Sequence, residues 1–145
     1  MENITDHQTS VSIGNLQVVL KDLFGITHAK GNSIDPRTLY LNLIEEEYKE
    51  LVAEKPSTPN DFKELCDLIW VSIQYANACG YDLEAGMNEL VKEYISKFYD
   101  KDGKFNPKYN EQGKLLKGDN FKKANFEALM GSVWYWSWRT PRECS

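Results

Sequence analysis

Apolar residues recur at helical spacing in four stretches of this chain, and each stretch is bounded by residues suited to start or stop a helix. The first covers about 10–24 (SVSIGNLQVVLKDLF) and ends at Gly25, which can terminate a helix in the left-handed conformation. A loop rich in Gly, Asn and Ser follows over 26–35. Asp35-Pro36 then offers a capping carboxylate and a proline at the first helical position, so a second helix is predicted from there to about Glu54, ahead of Lys55-Pro56. Ser57, Thr58, Pro59 and Asn60 read as the turn into a third helix, about 60–79, which stops at Gly80. Asp82 can cap a fourth, about 83–99. Residues 100–118 (DKDGKFNPKYNEQGKLLKG) change to Gly, Asn, Pro and Lys, as in an extended loop or short hairpin, and a short helix is expected over about 119–131. No internal repeat or low-complexity tract stands out. The fold class that emerges is all-α, of four-helix-bundle type, with a basic loop or hairpin after helix four.

The position of the carboxylates changes this picture. At about 100° per residue, Glu47 and Glu50 of the second helix fall roughly 60° apart, with Leu43 between them in angle and Tyr40 and Leu51 adjacent. They lie within the apolar stripe. On the third helix Glu64 and Asp67 share a side with Leu68, Val71, Tyr75 and Ala78. The opposite side carries Phe62, Ile69, Trp70 and Ile73, so this helix is expected to be buried nearly all round. An inward-facing carboxylate loses hydration, and four together repel one another, so they call for basic partners or a cation. Of Lys49, Lys55 and Lys63, Lys49 points away from Glu47 and Glu50, and no Arg lies between Arg37 and Arg139. A hard divalent cation held by oxygen ligands is the simpler answer. A Glu-rich helix such as EEEYKEL is by itself most often a solvated face. A second acid pair on an otherwise apolar neighbouring helix favours the metal reading.

Composition narrows the alternatives. The 145 residues suit one domain, here taken as 1–145 with its core at about 10–125 and a Trp-rich tail at about 132–145. Net charge is −5, which argues against a nucleic-acid polymer as partner. The balance is uneven: Lys97 to Lys123 holds eight Lys against four acids, +4, which leaves −9 for the rest. An acidic centre beside a basic segment can hold a metal and a polyphosphate together. No run is long enough to span a membrane, the N-terminus MENITDHQTS lacks the order of a signal peptide, and a cytoplasmic location is expected. Of the three cysteines, Cys66 and Cys79 read as buried thiols, and no disulfide framework is expected. With only His7 and His28 there is little for a zinc site or a Glu-x-x-His di-iron bundle. Asp100-Lys101-Asp102-Gly103 places Gly too early for an EF-hand, and neither a Walker A sequence nor GxGxxG occurs.

The acid pattern reads Glu46-Glu47-x-x-Glu50, thirteen intervening residues, then Glu64-x-x-Asp67. It resembles the signature of the all-α NTP pyrophosphatases, the MazG-like family. Gly80-Tyr81-Asp82 is similar to the Gly-x-Asp that opens the next family helix. Ser96-Lys97-Phe98, Asp102-Gly103-Lys104 and Gly113-Lys114-Leu115-Leu116-Lys117-Gly118 resemble the phage and bacterial branch related to phosphoribosyl-ATP pyrophosphohydrolase. The likeness covers about residues 15–125. The chain departs from that branch at Tyr94, where relatives often carry Asn, and lacks its aromatic-His pair in the first helix.

The resemblance implies a bundle completed by dimerisation, as a homodimer or a dimer of dimers, and hydrolysis of a (deoxy)nucleoside triphosphate to its monophosphate and pyrophosphate. Glu47, Glu50, Glu64 and Asp67 would ligate Mg²⁺, with Mn²⁺ as a substitute. Glu47 and Glu46 are the catalytic candidates, Glu46 orienting or deprotonating the attacking water. Lys97, Lys114 and Lys117 would contact phosphates, and Tyr94 occupies a substrate-facing position. Deoxynucleotides are the favoured substrates, and a phage-encoded protein would work in the host cytoplasm. Two other readings stay open: a non-enzymatic helical module that binds a nucleotide or protein around a structural metal, and a phosphoribosyl-ATP pyrophosphohydrolase. Trp134, Trp136 and Trp138 alternate as in an extended segment, packing either on a neighbouring copy or over their own core.

Overall fold

The computed structural model describes residues 12–24 and 35–130. Within them the chain is all-helical, with α1 (Ile13–Phe24), α2 (Pro36–Ala53), α3 (Pro59–Cys79), α4 (Leu83–Ser96) and a 3₁₀ turn at Glu127–Leu129. No strand forms among the described residues; two isolated antiparallel bridges are the only sheet-like pairing there. No described helix is long and apolar enough to cross a membrane. His7, His28, Cys144, the expected stop at Gly25 and the Trp-rich tail lie outside the described residues.

The chain divides into two compact units, one ending at Gly80 and the other starting at Tyr81. In the first, α1 and α2 both pack on α3. The caps explain the boundaries. Asp35 Oδ1 accepts from Thr38 N at 3.0 Å and Asp35 Oδ2 from the Thr38 hydroxyl at 2.6 Å, with Pro36 opening α2. Thr58 Oγ1 accepts from Asp61 N at 3.2 Å, while Asp61 Oδ2 accepts from Ser57 N at 3.1 Å, which closes the connection from α2 into α3. Gly80 ends α3 at φ 72 and ψ 25, a conformation that a side chain would oppose. The short connection makes α2 and α3 an antiparallel hairpin.

The core of this unit is small and drawn mostly from α3. Leu20 of α1, Tyr40 of α2 and Val71, Ile73, Ala76 and Cys79 of α3 are buried. Asn77 Nδ2 donates to the carbonyl of Gln17 at 3.0 Å and ties α3 to α1. Two expectations fail here. Helix α3 is not buried all round: Phe62, Ile69 and Trp70 are 69%, 49% and 39% exposed, and Leu65 on the same side is 43% exposed. Cys66 is exposed with them, whereas Cys79 is buried as expected. Periodicity marks both sides as apolar, but α1 and α2 are enough to cover only one of them.

In the second unit, Asp82 caps α4 by accepting from Ala85 N at 3.1 Å. The helix ends at Ser96, three residues earlier than expected, because Ser96 Oγ accepts from Lys122 N at 2.8 Å and draws the returning chain across the helix end. That segment runs back along α4. Glu93 Oε2 accepts from Ala124 N at 2.7 Å and Glu89 Oε2 from Asn125 N at 3.2 Å, and Phe126 packs where a Cβ on Gly86 would stand 3.3 Å from its ring. The helix expected at 119–131 therefore shrinks to the 3₁₀ turn, since its backbone donors are taken by α4 carboxylates.

Between these segments lies a repeat that residue identities partly conceal. Asp100 Oδ1 accepts from Asp102 N at 2.9 Å and Lys104 N at 3.0 Å. Asn110 Oδ1 accepts from Gln112 N at 3.0 Å and Lys114 N at 2.9 Å. Each turn places glycine at positive φ, 76 at Gly103 and 81 at Gly113, and is closed by a bridge, Tyr99 with Phe105 and Tyr109 with Leu115. Tyr-(Asp/Asn)-x-x-Gly-Lys-(Phe/Leu) thus occurs twice, ten residues apart. Asp-for-Asn and Phe-for-Leu exchanges mask the identity of the turn chemistry.

Candidate metal centre

Glu47 of α2 and Glu64 and Asp67 of α3 converge, each offering a carboxylate oxygen that lies within 4.8 Å of the other two. The helical hairpin brings them together, because residues three apart on each of two packed antiparallel helices share the facing side. All three are half-buried. Glu47 Oε2 and Glu64 Oε2 are buried without a hydrogen-bond partner. An orphaned buried acceptor costs about 1–3 kcal/mol, more when charged, so two in one cluster require an explanation.

Burial first, and then the carboxylates of Glu50, Asp67, Glu64 and Glu46, push the Glu47 acid above its ordinary range. Glu50 is therefore close enough to act electrostatically on Glu47, but it is exposed and stands outside the converging three. Glu46 is exposed as well. Lys49 pairs with Glu45 at 2.8 Å, away from the cluster as expected.

Lys63, one of the basic residues that α2 and α3 offer, pairs with two of the acids. Its Nζ is 2.5 Å from Asp67 Oδ2 and 3.6 Å from Glu64 Oε1. The i,i+4 spacing to Asp67 is the sequence signal for this pair. The pairing is incomplete, since Lys63 is largely exposed and leaves the inner oxygens of Glu47 and Glu64 unpartnered.

The donor set fits a hard cation: three carboxylates, no sulfur and no imidazole. Glu46 and Glu50, also on α2, are exposed.

No family model, curated protein or solved structure matches this chain.

The basic residues singled out by sequence are gathered in the second unit. Lys97 Nζ lies 4.1 Å from the ring centre of Tyr94 and 6.0 Å from that of Phe121, and Lys117 Nζ lies 4.7 Å from the Phe121 ring. Lys97, Lys117 and Tyr94 thus form one cluster. The ring contacts do not include Lys114, whose N–H closes the second turn. Phe121 escapes sequence reasoning because its role depends on the chain returning across the end of α4.

The Glu47 shift fixes the sign of a pH effect. A free glutamic acid titrates near 4.5, and in the fold Glu47 gives up its proton at higher pH. The folded state then binds the proton more tightly than the unfolded chain, so the penalty sets in as pH rises through 4.5 and is complete above the raised folded value. Metal-free protein should consequently melt at a lower temperature at neutral pH than near pH 5, and Glu47→Gln should flatten that slope. Melting curves in chelator across this range check it. An unchanged slope in Glu47→Gln would remove Glu47 as its source.

Proposed function

We propose that this chain is a magnesium-dependent nucleoside triphosphate pyrophosphohydrolase with a MazG-like four-helix-bundle fold completed by dimerisation. The observation that carries this reading is the pair of buried, unpartnered oxygens on Glu47 and Glu64, converging with Asp67 from two packed helices. A merely solvated acidic face has no reason to turn acceptors inward without donors.

Glu47, Glu64 and Asp67, with Glu50 at the rim, would hold the cation. When bound, Mg²⁺ neutralises phosphate oxygens and makes a water more acidic. Glu46, exposed beside Glu47, would orient and deprotonate the attacking water. Lys97, Lys114 and Lys117 are the proposed phosphate contacts. Lys63, paired with Asp67, would offer a phosphate oxygen a further positive charge at the rim of the cluster. Deoxynucleotides are the favoured substrates.

The test is pyrophosphate release from each common ribo- and deoxynucleoside triphosphate and from phosphoribosyl-ATP, with and without Mg²⁺. Metal-dependent release from one or more nucleoside triphosphates is expected. Activity on phosphoribosyl-ATP alone would transfer the chemistry to that substrate, and no release from any compound would select a non-enzymatic binding module.

A further inference from the structure

We propose that Gln74 and Asn77, one turn apart on α3, form the subsite that reads the hydrogen-bonding edge of the nucleotide's base. This rests on the proposed function and deepens it by naming the residues that set base preference. Both residues lie in the unit that ends at Gly80, on the same helix as Glu64 and Asp67.

The buried side chains of α1 and α3 include amides. Gln17 of α1 is 4% exposed and Gln74 of α3 is 6% exposed. Asn77 Nδ2 donates to the Gln17 carbonyl at 3.0 Å, which fixes the way the Asn77 amide faces. Its Oδ1 is left buried without a hydrogen-bond partner. Buried acceptors are normally paired, so this one requires an explanation. Helix geometry connects it to the acid cluster. Gln74 follows Asp67 by seven residues, which returns it to within about 20° of the same side and about 10 Å farther along the axis. Buried Val71 lies between them in sequence. One helix thus carries carboxylates toward its start and an amide pair toward its end, in the order of a nucleotide's charged and uncharged ends.

Asn77 sets what the ligand must carry. With Nδ2 committed to Gln17, Oδ1 offers an acceptor, so the ligand supplies a donor. An ionised phosphate has none, and its charge is disfavoured beside a buried carbonyl. Gln74 adds an amide with both donor and acceptor one turn away. The pairing edge of a nucleobase presents N–H groups next to acceptors, and such an edge matches two amides. A base that turns an acceptor toward Asn77 leaves Oδ1 unpaired, and that penalty is the source of discrimination. The cover over the pair is narrow: Asn77 is half-buried, and within α1 the buried residues are Gln17 and Leu20.

The experiment is calorimetric titration of the full chain, with Mg²⁺, using uncleavable α,β-imido analogues of the common ribo- and deoxynucleoside triphosphates, and tripolyphosphate as the base-free probe. The favoured base should bind at least about tenfold more tightly than the least favoured, as expected for one hydrogen bond made or missed. Asn77→Leu and Gln74→Met should each bring the bases to within about threefold of one another and leave tripolyphosphate binding unchanged. Asn77→Leu also removes the bond to α1, so Gln74→Met, which keeps the side-chain shape, carries the test if the first variant loses its helical circular dichroism. Ser72→Ala, on the same helix with its hydroxyl bonded to the Leu68 carbonyl at 2.6 Å, should leave base preference as it is. Equal affinity for every base in the wild type, a preference that survives in a folded Asn77→Leu or Gln74→Met, or an equal loss in Ser72→Ala would overturn the proposal. So would variants that change the ribose-to-deoxyribose ratio and not the base ratio. Base preference that these variants erase, in a protein that hydrolyses no nucleotide, would count against the proposed activity alone. Hydrolysis without such a preference would count against the subsite alone.

Discussion

Glu47→Gln should cut magnesium-dependent pyrophosphate release by about a hundredfold or more, and it should raise the melting temperature of the metal-free protein by a few degrees. The two effects have one cause. Glu47 carries an inner oxygen with no hydrogen-bond partner, and burial together with the carboxylates of Glu50, Asp67, Glu64 and Glu46 disfavours its charge. An amide of the same shape removes the charge without opening a cavity, so the apo fold is relieved while the cation loses a ligand. Magnesium should correspondingly raise the melting temperature of the wild type, by an amount that grows with concentration above its dissociation constant, and should do so much less for the variant. Activity assays and melting curves with and without Mg²⁺ supply both readings. A variant that loses activity and stability together would point to a packing role. One that retains magnesium-dependent release would remove Glu47 from the site.

The opposed signs reflect a conflict built into this hairpin. Its local signals all agree: Asp35 and Thr58 cap, Pro36 and Pro59 open, and Gly80 closes. Against that consistent background, acids on the packed side are the one discordant feature, and discordance of that kind tends to mark function. The acid cluster is legible in the sequence for this reason. Helix periodicity places Glu47, Glu64 and Asp67 on facing sides, and the short connection makes the helices antiparallel neighbours. The separation of Glu50 from the converging three is not legible, because a 60° difference in helical angle does not say which residue lies under the partner helix.

Other features leave little or no readable trace for different physical reasons. Lys63 has the right spacing, but its long side chain reaches Asp67 from an exposed position that the helical wheel assigns to solvent. The paired turns at 100–104 and 110–114 are only partly legible, because Tyr, Gly and Lys recur at the same positions while Asp and Asn serve the same backbone donors under different names. The cluster of Lys97, Lys117 and Phe121 depends on tertiary return of the chain and has no local signal at all. The expected burial of α3 fails in a more informative way. Apolar periodicity records that a face must be covered, without recording whether the cover belongs to the same chain.

If the proposed dimer forms through this face, Ile69→Asp, alone or with Phe62→Asp, should leave a folded monomer. Phe62, Leu65, Ile69 and Trp70 fall three, four and one apart along one exposed side of α3, and Tyr48 and Val52 of α2 are 57% and 66% exposed. Covering a large apolar side chain is worth about 1.5–3 kcal/mol, and in a two-fold interface every contact occurs twice, so a stripe of this size can sustain association by itself. An Asp at its centre loses that contribution and must be desolvated on each copy, which should weaken association by at least about a hundredfold. Because Ile69 is half exposed within the chain, its replacement should leave the helical content intact and the core of Leu20, Ile73 and Cys79 undisturbed. Sedimentation or light scattering over a concentration series, paired with circular dichroism, separates dissociation from unfolding. A wild type that stays monomeric at tens of micromolar, or an Ile69→Asp variant as dimeric as its parent, would assign the cover of this face to something other than a second copy. Retention of magnesium-induced stabilisation in the monomeric variant would further place the cation's ligands within one chain, as the convergence of Glu47, Glu64 and Asp67 requires.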